Sequence, residues 1–223
     1  FLSSCAQFGE NPSGEHLEII KKSPNYDLEK ERFMNRIENI FDKMREKDSF
    51  WNNPKKRISS NYFFNSAVTV PKRKLPEVNP PKIEEFLKDT DGIKFIWLGH
   101  STLLVNINNN IILIDPIFSK AASPVSFLVE RFQPPVLRLR DLPKIDYILI
   151  SHDHYDHLDM DTIVFFKEKN IKFITPLGVT SHLESWGIEK SKLFEEDWWG
   201  KLEFEGITFI CTPAQHFSGR LGT

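Results

Sequence analysis

A short apolar strand followed at once by histidines and aspartates constrains this chain more than any other feature. The strand "YILIS" (residues 147–151) is almost continuously apolar, which is typical of a strand whose two sheet faces are both covered. The stretch "HDHYDHLD" follows at residues 152–159 and contains three of the chain's seven histidines. Loops after the carboxyl ends of such strands are a usual place for chemistry in α/β proteins. The sequence therefore predicts a functional site at this strand end.

The spacing within this cluster predicts a metal site. His152 and His154 are two residues apart, so on an extended segment they point the same way and can share one ion. Asp156 and His157 follow on the bend into the next helix and can reach the same pocket from another side. Neutral imidazole nitrogens and carboxylate oxygens suit Zn²⁺. A solvated polar loop would explain one stray histidine, but four donors within six residues favour the metal.

The surrounding pattern predicts an α/β or α+β fold. Apolar runs predict strands at "IKFIWLG", "STLLVNI" and "IILID", and the asparagines at 108–110 tolerate the left-handed conformations of a tight turn. Helices are predicted over residues 160–169 and 179–187, on either side of the strand "IKFIT", and a hairpin is predicted from "KLEF" and "ITFICT". Hairpins mixed with strand–helix–strand units imply a sheet with helices packed on it.

The chain divides near residue 90 into an extension (1–90) and a domain (91–223) that holds nearly all the candidate site residues. The apolar spacing between residues 28 and 46 predicts an amphipathic helix, which a proline-rich linker and a short helix at "KIEEFLK" follow. The start "FLSSC" resembles the lipobox of bacterial lipoproteins, in which case a lipidated Cys5 would attach the chain to a membrane of the cell envelope. An arbitrary fragment start, with a cytoplasmic location, is the alternative.

Composition excludes several classes of protein. With 223 residues, 40% of them hydrophobic, the chain can bury a sizeable core, and its formal net charge of −2 gives no general attraction to nucleic acid. No apolar run reaches the ~18 residues that a membrane-spanning helix needs. Two cysteines cannot make a disulfide framework. The expected partner is a small-molecule or lipid substrate, and an oligomer is compatible with the sequence.

Several stretches resemble a known family. The pattern of histidines and aspartates after an apolar strand resembles the signature of the metallo-β-lactamase superfamily. More narrowly, about residues 91–220 resemble N-acyl-phosphatidylethanolamine-hydrolysing phospholipase D and its bacterial relatives. The stretches that carry this resemblance are "WLGHSTLLV", "DPIFSKAASP", "LPKIDYILISHDHYDHLD", "PLGV", "DWW" and "TPAQHFSGR".

The resemblance implies a four-layer αββα sandwich with a two-zinc site along one edge. One zinc would be held by His152, His154 and His216, and the second by Asp156 and His157. The family also uses a bridging aspartate and a last histidine, which are expected downstream of Thr223, so the chain is expected to hold the first half of the sandwich and an incomplete site. A histidine at the second ligand position, His154, favours zinc over the diiron branch of the superfamily, which carries a carboxylate there, with iron and manganese as alternatives.

Residues outside the cluster are also candidates. His216 follows an apolar strand; its position alone leaves ligand and ordinary loop residue equally open, and the resemblance favours ligand. His100 and Asp115 lie near the ends of paired strands and are expected to orient metal ligands, although a strand-end histidine and a turn aspartate are the plainer explanation. His182 is expected at the surface, and Arg220 is a weak candidate for a phosphate contact.

The metals define the expected chemistry. Zinc lowers the pKa of a bound water from ~15.7 to about 7, so the expected nucleophile is a metal-bound hydroxide, with Asp156 as a ligand that also orients it. No G-x-S-x-G sequence suggests a serine nucleophile. The resemblance implies a phosphodiesterase that acts on phospholipid-like substrates. The alternatives are a lactonase acting on a phosphorylated sugar acid, or a non-catalytic envelope binding protein if the chain truly ends at Thr223.

Overall fold

A mixed six-stranded sheet organises the structure, a computed structural model that describes residues 6–37, 70–78, 82–89, 91–124 and 129–220. Numbered in chain order, the described strands are β1 (Tyr26–Asp27), β2 (Arg32–Phe33), β3 (Ile93–Gly99), β4 (Thr102–Ile107), β5 (Asn110–Ile114), β6 (Tyr147–Leu149), β7 (Lys172–Pro176), β8 (Leu193–Glu196), β9 (Lys201–Phe204) and β10 (Ile207–Ile210). The described helices are α1 (Gly14–Ile20), α2 (Ile83–Phe86), α3 (Met160–Phe165) and α4 (Thr180–Ser185), and Leu139–Asp141 and Lys190–Lys192 form 3₁₀ turns.

The sheet has an antiparallel half and a parallel half. Its strand order is β3-β4-β5-β6-β7-β8, antiparallel as far as β5 and parallel from β5 to β8. The tight turn between β4 and β5 has Asn108 and Asn109 at φ 49° and 64°, the left-handed pair that a type I′ turn requires. Parallel strands need crossover connections, and α3 and α4 provide two of them. The predicted α/β class is confirmed.

The two faces of the sheet carry different apolar layers. One face packs against the helices in a large core that includes Leu113, Ile148 and Phe173, which are fully buried on neighbouring strands. The opposite face packs against the β9–β10 hairpin, where Phe204 and Phe209 contact the ring of Tyr147. With both faces covered, β6 has the almost continuous apolar sequence expected of a buried parallel strand.

The edge of the sheet at β3 leaves apolar side chains uncovered. Phe95 and Trp97 are 67% and 61% exposed. Phe95 pairs with Val105, and Val105 pairs with Ile112, so these side chains lie on the face that the hairpin covers further along the sheet. A second sheet packed on this face would bury them, and the expected second half of the sandwich stays a prediction.

The N-terminal segment departs from the predicted amphipathic helix. Within residues 28–46, the described part (28–37) contains turns and strand β2, which pairs with β1, so the helix prediction is wrong there. The Asp27 side chain accepts hydrogen bonds from the amides of Glu29 and Lys30, and Glu31 is left-handed at φ 51°, which builds a hairpin instead. Residues 38–46 and the candidate lipidation site Cys5 lie outside the described residues. None of the helices in the described ranges is long and apolar enough to cross a membrane.

Replacing Ile148 by alanine is expected to lower the free energy of unfolding by about 2–5 kcal/mol, because its side chain is fully buried in the centre of the sheet. Urea unfolding followed by circular dichroism measures the loss. Val164→Ala is the matched control: that side chain is 42% exposed on α3, and the change should stay within about 0.5 kcal/mol. Equal losses from the two substitutions would contradict the central position of β6 in the core.

Candidate metal centre

The strand-end loop (residues 151–159) carries four of the predicted site residues. It leaves β6 after Leu149 and ends where Asp159 caps α3 by accepting a hydrogen bond from the Asp161 amide. The Asp159 carboxylate also accepts hydrogen bonds from the amides of Phe118 and Ser119, which follow β5. The end of the loop that joins α3 is therefore fixed to the segment that follows β5. The side chains of the loop are held at the edge of the sheet where the parallel strands β5 and β6 end.

Three histidines converge at this edge. His152, His154 and His216 each offer a ring nitrogen, and these three atoms lie within 4.8 Å of one another. His216 comes from the hairpin-exit loop (residues 211–220), which follows β10. The ring centroids are 4.6 to 4.7 Å apart. The structure thus brings together the three residues that the sequence assigned to one metal ion.

The electrostatics of the three-histidine cluster suit a divalent cation. Burial, together with repulsion from the neighbouring histidines, lowers the pKa of His152 to about 4, and burial also lowers the pKa of His154. Both imidazoles are therefore neutral at physiological pH, the form that binds metals. Within the described part of the chain, the buried Nε2 of His152 has no hydrogen-bond partner, which is costly unless a ligand occupies the position. The donor set fits Zn²⁺ or a similar ion.

A second cluster lies directly beside the first. Ligand atoms of His100, Asp156 and His157 lie within 4.8 Å of one another, and the His157 ring is centred 4.0 Å from that of His152. His100 occupies the turn between β3 and β4 at a left-handed φ of 46°, and its Nε2 is 2.9 Å from Asp156 Oδ2. The side chains of His100 and Asp156 are about half exposed, so this cluster opens to solvent. Two adjoining sets of donors are the arrangement expected of a two-metal centre.

Asp115 fixes the orientation of His157 in the second cluster. Its buried carboxylate accepts hydrogen bonds from the Ser151 amide and hydroxyl, both at 2.7 Å, and from His157 Nδ1 at 2.8 Å. The bond at Nδ1 leaves Nε2 of His157 directed to the cluster. Burial opposes the charged imidazolium, but the hydrogen bond and charge of Asp115 outweigh it and raise the pKa of His157. The Ser151 hydroxyl in turn contacts His152 Nδ1 at 2.9 Å.

The placement of His100 and Asp115 agrees with the orienting roles expected for them. Each contacts a candidate ligand directly: His100 contacts Asp156, and Asp115 contacts His157. Such outer partners fix the ring orientation of metal ligands. The ligand roles themselves stay predictions.

Two expectations about other residues are wrong. His182 is not a surface residue: it is 3% exposed, and its Nδ1 accepts a hydrogen bond from the Glu10 amide. Arg220 is buried as well, and its guanidinium donates to backbone carbonyls, so it has no exposed position from which to meet a phosphate. Their partners are up to 213 positions away in the sequence, and no local pattern could have identified them. The one hint in the sequence was the position of Arg220, a charged residue shortly after the candidate ligand His216.

A mixed sheet with two adjoining donor clusters at the exits of its strands defines an α/β protein with a candidate two-metal centre. Residues 110–223, about half of the chain, match the family model described as the β-lactamase superfamily domain. The chain belongs to this family.

Sequence relatives extend the comparison. An uncharacterised protein of Mycobacterium tuberculosis is 42% identical over 134 residues, covering 59% of this chain and 36% of its own length. N-acyl-phosphatidylethanolamine-hydrolyzing phospholipase D 1 of Caenorhabditis elegans is 38% identical over 141 residues, covering 59% of this chain and 39% of its own length. The chain thus spans between about a third and two fifths of the curated relatives that it matches.

A solved structure also shows partial likeness. Igni18, a metallo hydrolase from the archaeon Ignicoccus hospitalis, is 22% identical, with a TM-score of 0.45. The match covers 56% of this chain and 50% of that protein.

Proposed function

We propose that this chain forms part of a metal-dependent hydrolase that cleaves phosphodiester bonds in phospholipid-like substrates. The observation that carries the proposal is the convergence of two adjoining donor clusters, His152–His154–His216 and His100–Asp156–His157, at one sheet edge. Four of these six residues are the ligands that the histidine-rich pattern singled out, and the family resemblance favours a fifth, His216. Membership of the β-lactamase superfamily supports a hydrolytic centre of this kind.

Different residues of the chain would hold each of the two metal ions. His152, His154 and His216 would hold one metal ion, and Asp156 with His157 would hold the other. We propose zinc, because sets of three histidines, and sets that combine histidines with a carboxylate, are typical of catalytic zinc sites. When bound, such ions supply a water of lowered pKa and polarise a phosphoryl oxygen.

Asp156 is proposed as the catalytic residue of the pair. Its half-exposed carboxylate has one oxygen close to His100, so the group is positioned and can also accept a hydrogen bond from the attacking water. Asp115 would hold His157 in the orientation that leaves Nε2 for the metal. The open side of the second cluster is where a headgroup would enter.

The substrate proposal rests on the named relatives. Both the Caenorhabditis elegans protein and a Saccharomyces cerevisiae protein, 32% identical over 146 residues, are named N-acyl-phosphatidylethanolamine-hydrolyzing phospholipase D. Phospholipase D-type hydrolysis of such a lipid breaks the bond between phosphorus and the ethanolamine oxygen. Water then supplies the new phosphate oxygen and a proton to the leaving alcohol, which gives phosphatidic acid and an N-acylethanolamine.

We expect the natural full-length protein, purified without chelator, to contain about two zinc ions per chain and to release phosphatidic acid from N-acyl-phosphatidylethanolamine vesicles. Elemental analysis measures the metal, and mass spectrometry of the lipid extract measures both products. Phosphatidylcholine vesicles and a phosphorylated sugar lactone are the comparison substrates. Ring opening of the lactone without lipid cleavage would replace the phosphodiesterase by a lactonase, and absence of metal after zinc has been offered would contradict the whole proposal.

A further inference from the structure

A buried arginine joins the two loops that carry the three-histidine cluster. Arg220, at the end of the hairpin-exit loop, is only 4% exposed. Its Nη1 donates to the carbonyl oxygens of Asp153 at 2.7 Å and Leu158 at 3.0 Å, both in the strand-end loop. Its guanidinium also lies 4.0 Å from the centroid of the Tyr155 ring. One side chain therefore binds the two loops together at both ends of the histidine-rich stretch.

A buried aspartate makes the reciprocal connection. Asp153 is 3% exposed and stands in the sequence between His152 and His154. Successive side chains of an extended segment point to opposite sides, so an aspartate between two site-facing histidines is directed away from the metal. Its carboxylate accepts hydrogen bonds from the Ser218 hydroxyl at 2.7 Å and the Gly219 amide at 3.1 Å. These donors follow His216 by two and three residues.

The hairpin-exit loop is fixed at its start by backbone hydrogen bonds between Cys211 and residues 199 and 200, and further along by the Phe217 ring, which lies 4.6 Å from that of His154. Residues 211–220 contain no helix or strand, and the His216 ring is exposed. The N-terminal segment supplies two further bonds: the His216 amide donates to Asn35 Oδ1 at 3.0 Å, and Arg220 Nη2 donates to the Gln7 carbonyl at 2.8 Å. The position of His216 beside the other two histidines therefore depends on side chains outside both clusters.

We propose that Asp153 and Arg220 are positioning residues that set the geometry of the three-histidine cluster. They bind the loop that carries His216 to the loop that carries His152 and His154, so that the three imidazoles meet before an ion arrives. Preorganisation of this kind raises affinity because the ion does not have to order the ligands on binding. The inference rests on the metal site of the proposed function.

The test measures Zn²⁺ affinity of the natural full-length protein by chelator competition, together with the visible absorption of the Co²⁺ form. Asp153→Ala and Arg220→Ala are expected to weaken the tighter Zn²⁺ step by about 10 to 100-fold and to change the Co²⁺ spectrum. Arg220→Lys keeps the charge but loses the two-pronged geometry, so its affinity should fall between that of Arg220→Ala and the unsubstituted protein. Ser218→Ala removes a single hydrogen bond and should cost about tenfold, the lower end of that range.

Glu195→Gln is the matched control for general destabilisation. Glu195 is also a multiply bonded carboxylate: it accepts hydrogen bonds from the Gly178 amide and from the Thr180 amide and hydroxyl. It contacts neither loop of the three-histidine cluster in the described structure. Its replacement should lower the melting temperature and leave Zn²⁺ affinity and the Co²⁺ spectrum unchanged.

The results distinguish failure of the positioning role from failure of the proposed metal site. Weaker Zn²⁺ binding by folded Asp153 and Arg220 variants, with Glu195→Gln unaffected, supports the positioning role. Unchanged affinity in folded Asp153→Ala and Ser218→Ala would overturn it, and Ser218→Ala keeps this test available if the buried variants do not fold. An unsubstituted protein that takes up no metal would instead overturn the proposed function.

Discussion

The double substitution His152→Ala, His154→Ala is expected to reduce hydrolysis by more than about 100-fold, because it removes two of the proposed metal ligands. Loss of a residue that only orients a metal ligand already lowers activity by about 10 to 100-fold. The metal content should fall together with the rate. Folding should be largely retained, because the strand-end loop is held by Asp115, Asp159 and Arg220 and not by the two imidazoles. Initial rates of phosphatidic acid release, elemental analysis and thermal melting measure the three quantities.

His16→Ala is the matched control for this pair. His16 is a partly buried histidine that bonds to Glu195 at 2.7 Å, and it belongs to neither donor cluster. Its loss should leave hydrolysis and metal content unchanged and cost little stability. Full hydrolytic activity in the double variant, with folding intact, would rule out the proposed mechanism.

The sequence was sufficient for the local elements of the fold. Apolar runs predicted five of the six sheet strands, all but β8, and successive asparagines predicted the turn that Asn108 and Asn109 make with positive φ. The predicted helices after the histidine-rich stretch and after "PLGV" are observed as α3 and α4, each shorter than predicted. These signals are local, because each depends on residues within a few positions of one another.

The amphipathic pattern failed where short-range turn chemistry competed with it. Apolar residues at Leu28 and Ile37 fit a helical period, yet both are exposed, so no packed face supports a helix there. Asp27 and the left-handed Glu31 favour a turn, and Tyr26 and Phe33 then pack edge to face across the hairpin. A helix of marginal intrinsic stability forms only when its apolar stripe is buried.

The candidate site was predictable to the extent that its residues are neighbours in sequence. The spacing within the histidine-rich stretch predicts four candidate ligands, His152, His154, Asp156 and His157. The prediction of His216 as a ligand needed the family resemblance. The sequence predicted Asp115 as an orienting residue, but the side chains that join the two loops of the site were not predictable. Asp153 bonds to residues 65 and 66 positions away, and the bond between Arg220 and Gln7 spans 213 positions, so only the fold brings them into contact.

Asp115→Asn is expected to weaken metal binding at the second cluster by about 10 to 100-fold and to lower the free energy of unfolding by about 1–3 kcal/mol. The carboxylate accepts three hydrogen bonds, from the Ser151 amide and hydroxyl and from His157 Nδ1. An amide group presents hydrogens at one of these positions, so a donor is left without an acceptor and His157 loses its fixed orientation. Calorimetric titration with Zn²⁺ and urea unfolding measure the two effects.

Asparagine is the informative replacement because of the backbone at this position. Asp115 has a left-handed φ of 41°, a conformation that asparagine tolerates and alanine does not, so Asp115→Ala would add backbone strain to the loss of the acceptor. Asp146→Asn is the control at the opposite end of the same strand pair, where Asp146 Oδ2 accepts the Ile111 amide at 2.9 Å. Asp146→Asn should lower stability and leave Zn²⁺ affinity intact. Equal losses of affinity in both variants would show that the strand pair as a whole, and not Asp115, orients His157.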